Sequence, residues 1–292
     1  MTDKNNTDMK PTNIGVVVVV FHPDARQLEQ KLARLGSNVA VAVVDNTPDE
    51  TIDIAHDNIA YIPLHDNTGI ANAQNEGIRY LMEHGCTHIV FFDQDSEYNI
   101  QYVEAIVAEY GRIASRRKNL FLLGPTVIDK DSSIEYKSLA GDCEDNGSFV
   151  LQRELISSGT CASVDNIRKV GLLKSRMFID YVDFEWCWRA ESLGFVCGMT
   201  RNVRLPHKVG VRQKRILGMV FIESAPFRYF YQYRNLTALC RLNYVPKQWK
   251  RKKLLRKAIE LVVLPATSSN GWAILRNSLR GIAAGTRFKW NE

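Results

Sequence analysis

Two aspartates one residue apart, Asp93 and Asp95, follow directly on the apolar run Ile89-Val90-Phe91-Phe92. In an extended segment residues i and i+2 project to the same side, so this spacing lets both carboxylates converge on one point. Two anions so close repel each other unless a cation lies between them. A hard divalent ion that completes its shell with phosphate oxygens would supply it. A solvated turn accommodates the same pair, and the argument for the ion rests on position, immediately after a strand that reads as buried.

Four further clusters have residue types that do chemistry. In VVDNT (43–47) Asp45 stands at a strand end, where a carboxylate accepts hydrogen bonds from a pyrimidine N–H or a ribose hydroxyl, or simply caps a turn. NTGIANAQNEG (67–77) has Gly69, Ala71, Ala73 and Gly77 for close backbone approach, and Asn67, Asn72 and Asn75 as hydrogen-bonding groups. A helix starting near Gly69 would favour a diphosphate or sugar at its N-terminus; the same small residues also suit tight packing on a sheet. MFIDYVDFEWCWRAESLG (177–194) places Asp180, Asp183 and Glu185 where a loop enters a helix, as a general base or as N-terminal caps. LPHKVG (205–210) offers His207 as a metal ligand or an ordinary surface histidine.

The elements that must position these groups follow from hydrophobic patterning. Ile14–Phe21 is a continuous β-branched run, as in a strand buried on both faces of a parallel sheet. Residues 24–35 are spaced as a helix; Val39–Val44, Ile59–Pro63 and His88–Phe92 read as strands; a helix is expected from about Gly69 to His84. This β-α-β alternation predicts an open α/β sheet, whose ligands bind beyond the carboxyl ends of the strands, where Asp45, Asp93 and Asp95 fall. Farther on, LFLLGPTVI reads as a strand and SIEYKSLAGDCEDNGSF as a polar loop or hairpin. LISSGTCASV reads as a strand and turn, and Asp183–Leu193 as a helix closed by Gly194.

Charge divides the chain. Residues 1–200 hold 18 Lys and Arg against 29 Asp and Glu, whereas residues 201–292 hold 20 against 3. An acidic body thus has a strongly basic tail, suited to meeting phosphates. Six scattered cysteines with no CxxC pair point to reduced thiols, with neither zinc site nor disulfide framework. The polar N-terminus lacks a signal-peptide core, and no stretch is apolar enough to span a membrane, so a cytoplasmic protein is expected. No Rossmann GxGxxG or Walker loop is present.

In their order along the chain, the apolar first strand, VVDNT, NTGIANAQNEG, FFDQDS, SSGT, FIDYVDFEWCWRA and LPHKVG resemble the inverting GT-A glycosyltransferases of family 2. Within that family the pattern is most similar to the bacterial rhamnosyltransferases, which also have a stretch like RYFYQYRN (228–235). The resemblance covers about residues 14–240. It implies a Rossmann-like, mostly parallel central sheet flanked by helices. The expected organisation is a disordered leader at 1–12, a catalytic domain at 13–240 and a basic amphipathic helical tail at 241–292.

Carried over residue by residue, the resemblance implies that Asp45 holds the nucleobase or ribose while Asn67, Gly69 and Asn75 line the donor pocket. Asp93 and Asp95 would engage Mg²⁺ or Mn²⁺ and the sugar nucleotide, with His207 as a further ligand. Asp183 would be the catalytic base, with Asp180 the second candidate, Glu185 a supporting group, and Ser158, Gly159 and Thr160 a wall near the acceptor. Arg212 and Arg215, by charge and position, could reach the diphosphate. The implied donor is dTDP-β-L-rhamnose and the acceptor a lipid-linked glycan in surface polysaccharide such as O-antigen or cell wall. Another nucleotide sugar (galactofuranose or a hexose) and a non-catalytic sugar-nucleotide-binding module are the alternatives. A nucleotidyltransferase fits less well, because FHPDARQ stands where its glycine-rich basic loop belongs.

The tail helix at about 248–263 has Leu254, Leu255, Ala258, Ile259 and Val262 on one face and a basic cluster opposite. Either it binds an anionic membrane on the cytoplasmic side, or it packs its apolar face on the catalytic domain or on a second copy in a homo-oligomer while turning its lysines to water. Nucleic acid is not the expected partner, since the tail has no recognised nucleic-acid module.

Overall fold

Five consecutive valines explain the centre of the molecule. Strand β1 (Ile14–Val20) buries Val16 through Val20, and alternate side chains serve opposite faces of the sheet. Val17 and Val19 join one apolar cluster with Ala71, Ile78 and Leu81 of helix α2 (Ile70–Glu83). Val16, Val18 and Val20 join a second cluster, with Leu28 and Leu32 of α1 (Ala25–Leu32) and Val103, Ile106 and Tyr110 of α3 (Ile100–Arg116). A strand that feeds two cores must lie in the middle layer, so the continuous apolar run dictates a helix–sheet–helix sandwich. Asp24 and Asn99 start α1 and α3 by accepting the amides of Gln27 and Tyr102.

The computed structural model describes residues 13–48, 51–52, 54, 57–129, 145–207, 213–216 and 219–290, with backbone alone at 128–129, 145–146, 207, 213–216 and 219. The leader at 1–12 and most of the polar stretch from Ser133 therefore lie outside the described residues. The remaining strands of the main sheet are β2 (Ala40–Asp45), β3 (Ile59–Pro63), β4 (His88–Asp93), β5 (Leu120–Asp129), β6 (Asp145–Asn146), β7 (Phe149–Leu151), β8 (Cys161–Ser163) and β9 (Val196–His207). Their order is β3-β2-β1-β4-β8-β5-β9-β7-β6. The first four are parallel, as the sequence pattern predicts; β8 then runs antiparallel to both β4 and β5. The chain after β8 continues through α4 (Val164–Val170) and a 3-10 turn into α5 (Val182–Ser192).

A small hairpin, β10 (Gln213–Ile216) and β11 (Met219–Ile222), leads into three helices: α6 (Pro226–Cys240), α7 (Lys247–Thr267) and α8 (Gly271–Thr286). Helix α6 is unexpected from the sequence, where its aromatics and cations show no clear apolar stripe. It packs closely against α8: a Cβ at Gly281 would lie 2.4 Å from the Phe230 carbonyl oxygen, so only glycine allows the approach. Among the described residues no helix is long and apolar enough to cross a membrane.

Candidate active site

The register of the parallel strands builds one wall. Val20 pairs with Asp45 and Val19 with Asp93, which brings both acids to the carboxyl edge of the sheet. Asp45 is buried there, and its carboxylate accepts the Thr47 amide at 2.9 Å and the Tyr61 hydroxyl at 2.7 Å. Burial and that carboxylate push Tyr61 up to about 12, so the phenol remains a donor. Asp45 does not line the cleft. Its neighbour Asn46 does, and Asn46 gives its amide to Asn67 Oδ1 (2.9 Å) while accepting from the Thr68 amide (2.8 Å). Asn67 Oδ1 also takes the Gly69 amide (3.2 Å), so the two asparagines fix the entry to α2.

At the second strand end the expected geometry needs correction. Asp93 ends β4, but the Ser96 amide donates to the Asp93 carbonyl (3.0 Å), so Asp95 sits inside a tight turn and not in an extended segment. Lys31 holds that turn by donating to the carbonyls of Gln94 (2.8 Å) and Ser96 (3.1 Å). Both acids still line the same cleft, Asp95 exposed and Asp93 half-buried.

The opposite wall is the loop before α5. Phe178, Asp180 and Tyr181 adopt φ of 61°, 68° and 66°, a left-handed conformation costly for side chains with a Cβ. The loop keeps this shape because α6 grips it. Asn235 Nδ2 donates to the carbonyls of Met177 (2.9 Å), Ile179 (2.8 Å) and Asp180 (3.0 Å). Arg234 reaches the carbonyls of Arg176 and Met177, and Tyr231 stacks on Phe178 with centroids 4.4 Å apart. Arg228 binds both oxygens of Asp180, at 2.7 and 3.3 Å. These four residues of RYFYQYRN lie along one helix face, at spacings of three, three and one. Gly69 touches the same loop: with φ at 85°, an added Cβ would lie 2.6 Å from the Phe178 carbonyl oxygen. Gly69→Ala is therefore expected to destabilise the protein by about 2 kcal/mol or more, measured by urea unfolding, because strain and clash coincide.

Asp183 stands in the first turn of α5 and faces the cleft. Its Oδ1 accepts the Phe184 amide (3.0 Å). Burial pushes its pKa up to about 7 with help from the Asp93 charge, and the backbone amides of Phe184, Asp183 and Ser157 only partly oppose this. A carboxylate of that basicity suits a general base near neutral pH. Asp180 is differently placed, since one guanidinium already engages both its oxygens.

The cleft between the walls has a volume of about 860 Å³. It brings together Asn67, Gly69, Asp93, Asp95, Asp180 and Asp183 from the expected set. Asn75 is fully buried and stitches α2 to the loop at 173–175, through the Leu173 carbonyl (2.9 Å) and amide (3.0 Å). Glu185 is buried too, tied to Arg189 (2.9 Å) and the Tyr244 hydroxyl (2.6 Å), where it anchors α5. Ser158, Gly159 and Thr160 are buried; Ser157 reaches the cleft in their place and accepts from Gln74 Nε2 (3.0 Å). His207 ends β9 with its side chain outside the described residues, Arg212 lies outside them, and Arg215 is described by backbone alone. Sequence reasoning missed Asn46, Gln74, Ser157, Phe227 and Arg228, all of which line the cleft. For Arg228 a signal was present, the helical spacing of RYFYQYRN.

Among the described residues no group of three His, Cys, Asp or Glu forms a self-sufficient metal cluster. The donor set nevertheless fits a hard ion that keeps open positions. Asp93 and Asp95 supply oxygen, and the only cationic side chain among the described lining residues, Arg228, is already paired with Asp180.

A sheet whose parallel half ends in acids at its carboxyl edge, facing α5 across an open cleft, is the architecture of a GT-A-like fold. The solved structures agree on the fold. The chain superposes on *S. aureus* TarS 1–349 in complex with UDP-GlcNAc with a TM-score of 0.56 and 12% identity, covering 94% of this chain and 81% of that one. It superposes on GalNAc-T7 with UDP, GalNAc and Mn²⁺ with a TM-score of 0.51 and 11% identity, covering 86% and 55%. The chain belongs to glycosyl transferase family 2, whose sequence profile matches residues 17–116. Its relatives include the dTDP-rhamnosyl transferase RfbF of *Shigella flexneri*, 30% identical over 304 aligned residues that cover 95% of this chain and 99% of RfbF. The low-salt glycan biosynthesis hexosyltransferase Agl10 of *Haloferax volcanii* is 21% identical, over 68% of each chain. The protein is thus a glycosyltransferase that draws on a nucleotide-sugar donor.

Proposed function

We propose that the protein transfers L-rhamnose from dTDP-β-L-rhamnose to a hydroxyl of a growing surface glycan, in one inverting displacement. The observation that carries the reaction type is the convergence of Asp93, Asp95 and Asp183 on one cleft from separate segments, with Asp183 held at a basicity near neutral. The donor sugar rests on the likeness to RfbF across nearly the whole chain.

The residues divide the work. Asn46, Asn67 and Gly69 present amide groups and open backbone on the sheet side, where the nucleotide half of the donor fits. Asp93 and Asp95 would hold Mg²⁺ or Mn²⁺, which when bound supplies positive charge to the departing diphosphate. Asp183 accepts the proton of the acceptor hydroxyl, whose oxygen attacks the anomeric carbon as the bond to the diphosphate breaks on the opposite face. Arg228 engages both oxygens of Asp180, which leaves the proton-accepting role to Asp183 on the same cleft.

The test is a donor screen by ligand-detected NMR with Mg²⁺, comparing dTDP-rhamnose with UDP- and GDP-sugars. Preference for dTDP-rhamnose by about tenfold or more is expected, and Asp95→Ala should remove most of the difference between Mg²⁺ and EDTA. Preference for a UDP- or GDP-hexose would redirect the assignment to a hexosyltransferase. An unchanged metal response in the variant would sink the coordination role of Asp95.

A further inference from the structure

Of the mountings its sequence allows, helix α7 takes one that turns part of its basic side toward the protein. The side turned to the protein has Trp249, Lys253, Lys257, Glu260 and Leu264. Lys253 lies 4.9 Å from the Tyr181 ring centre, and Lys257 donates a hydrogen bond to Gln232 Oε1 (2.6 Å) and pairs with Glu260. Much of the apolar stripe points outward, Leu254 being 47% exposed, Leu255 67% and Val262 71%, while Ile259 packs against the cluster around Leu264 and Ile274. At about 100° per residue, Arg251, Leu255, Ala258 and Val262 share the outermost stripe. Directly beyond the turn Trp272, 77% exposed, opens α8, followed by exposed Arg276, Leu279 and Arg280.

We propose that this outer surface of α7 and α8 docks the enzyme onto an anionic lipid bilayer. Three observations select that partner. The exposed side chains are leucine, valine and tryptophan, whose transfer to the acyl–headgroup boundary is favourable. They are interleaved with arginines, which anionic headgroups attract. From Lys247 to Thr286 the single acid is Glu260, and it is buried against Lys257; the nearby Glu223 is half-buried and accepts from Ser268, so the two helices themselves turn no acid toward a negative membrane. A second copy is a poor occupant for the same reason, because a two-fold contact would press like charges together. The inference stands apart from the identity of the donor sugar.

The experiment is vesicle flotation of the full chain with phosphatidylcholine alone and with phosphatidylcholine mixed with phosphatidylglycerol. Binding to the mixed vesicles that weakens with salt is expected. The triple variant Leu255→Ser, Val262→Ser, Trp272→Ser should lower partitioning about tenfold or more, and Arg251→Glu with Arg276→Glu should do so independently. All five side chains are exposed, so unchanged melting curves serve as the folding control. Native-level binding by either variant, equal binding to neutral vesicles, or lipid-free self-association that the triple variant abolishes would each overturn the proposal.

Discussion

An Asp183→Asn protein is expected to bind donor much as the native protein does and to transfer sugar about 10³-fold more slowly, or slower still. Asparagine keeps the shape and can still accept the Phe184 amide at Oδ1, so the first turn of α5 stays in place. What it loses is the ability to accept a proton. Donor titration by NMR and single-turnover transfer separate the two effects, and near-normal turnover would remove Asp183 from the role of base. The pH profile gives a second reading. The base must be ionised, so native kcat/KM should fall with unit slope below about pH 7, where Asp183 takes up its proton, and that limb should vanish in the variant. A saturating divalent cation near Asp93 opposes one of the two causes of the raised value, and should move the limb to lower pH. Stability responds with the opposite sign. A carboxyl raised by folding costs stability where it is ionised in both states, so the variant should melt higher than native at about pH 8 and nearly equally at about pH 4.

The second large effect is expected far from any reacting atom. Asn235→Ala takes the side-chain donor from the Ile179 and Asp180 carbonyls, while Met177 keeps Arg234, and should cost about 2 kcal/mol in urea unfolding. Activity should fall about 10²-fold beyond any unfolding, because the loop that positions Asp183 is left to relax from its left-handed conformation. Asn235→Asp distinguishes positioning from simple space filling. It has the same size, yet its oxygens face carbonyl oxygens and cannot donate, so it should be at least as damaging as alanine. Hydrogen exchange at residues 177–184 should quicken in both variants; a native exchange rate with full activity in Asn235→Asp would refute the clamp.

The parallel half of the sheet was legible because its signal is one-dimensional. Runs such as GVVVVVF and HIVFF can be satisfied only by burial on two faces, and the acids that end them must then share an edge. Site membership was harder to read because it depends on direction as well as residue type. Asn75 and Glu185 have suitable chemistry and point inward; Ser157 reaches the cleft whereas Ser158 beside it does not. Asp95 kept its place for a different reason from the expected one, the turn after Asp93 having replaced the extended geometry. Helix α6 escaped notice because Phe227, Phe230 and Tyr231 surround it with aromatics and blur the stripe formed by Tyr229, Tyr233 and Leu236. The sequence left the mounting of α7 open for a related reason. A lysine reads as solvent-facing until a specific partner such as Glu260 or Tyr181 is known to await it.

The dependence of the loop at 177–181 on Asn235 also bears on the order in which the chain is made. During synthesis every acid of the cleft leaves the ribosome before α6 does. A nascent chain that ends short of Pro226 therefore has a full complement of carboxylates, with nothing to seat the strained loop between them. Competence should arrive late and in a single step, when RYFYQYRN emerges and closes on a sheet that is already formed.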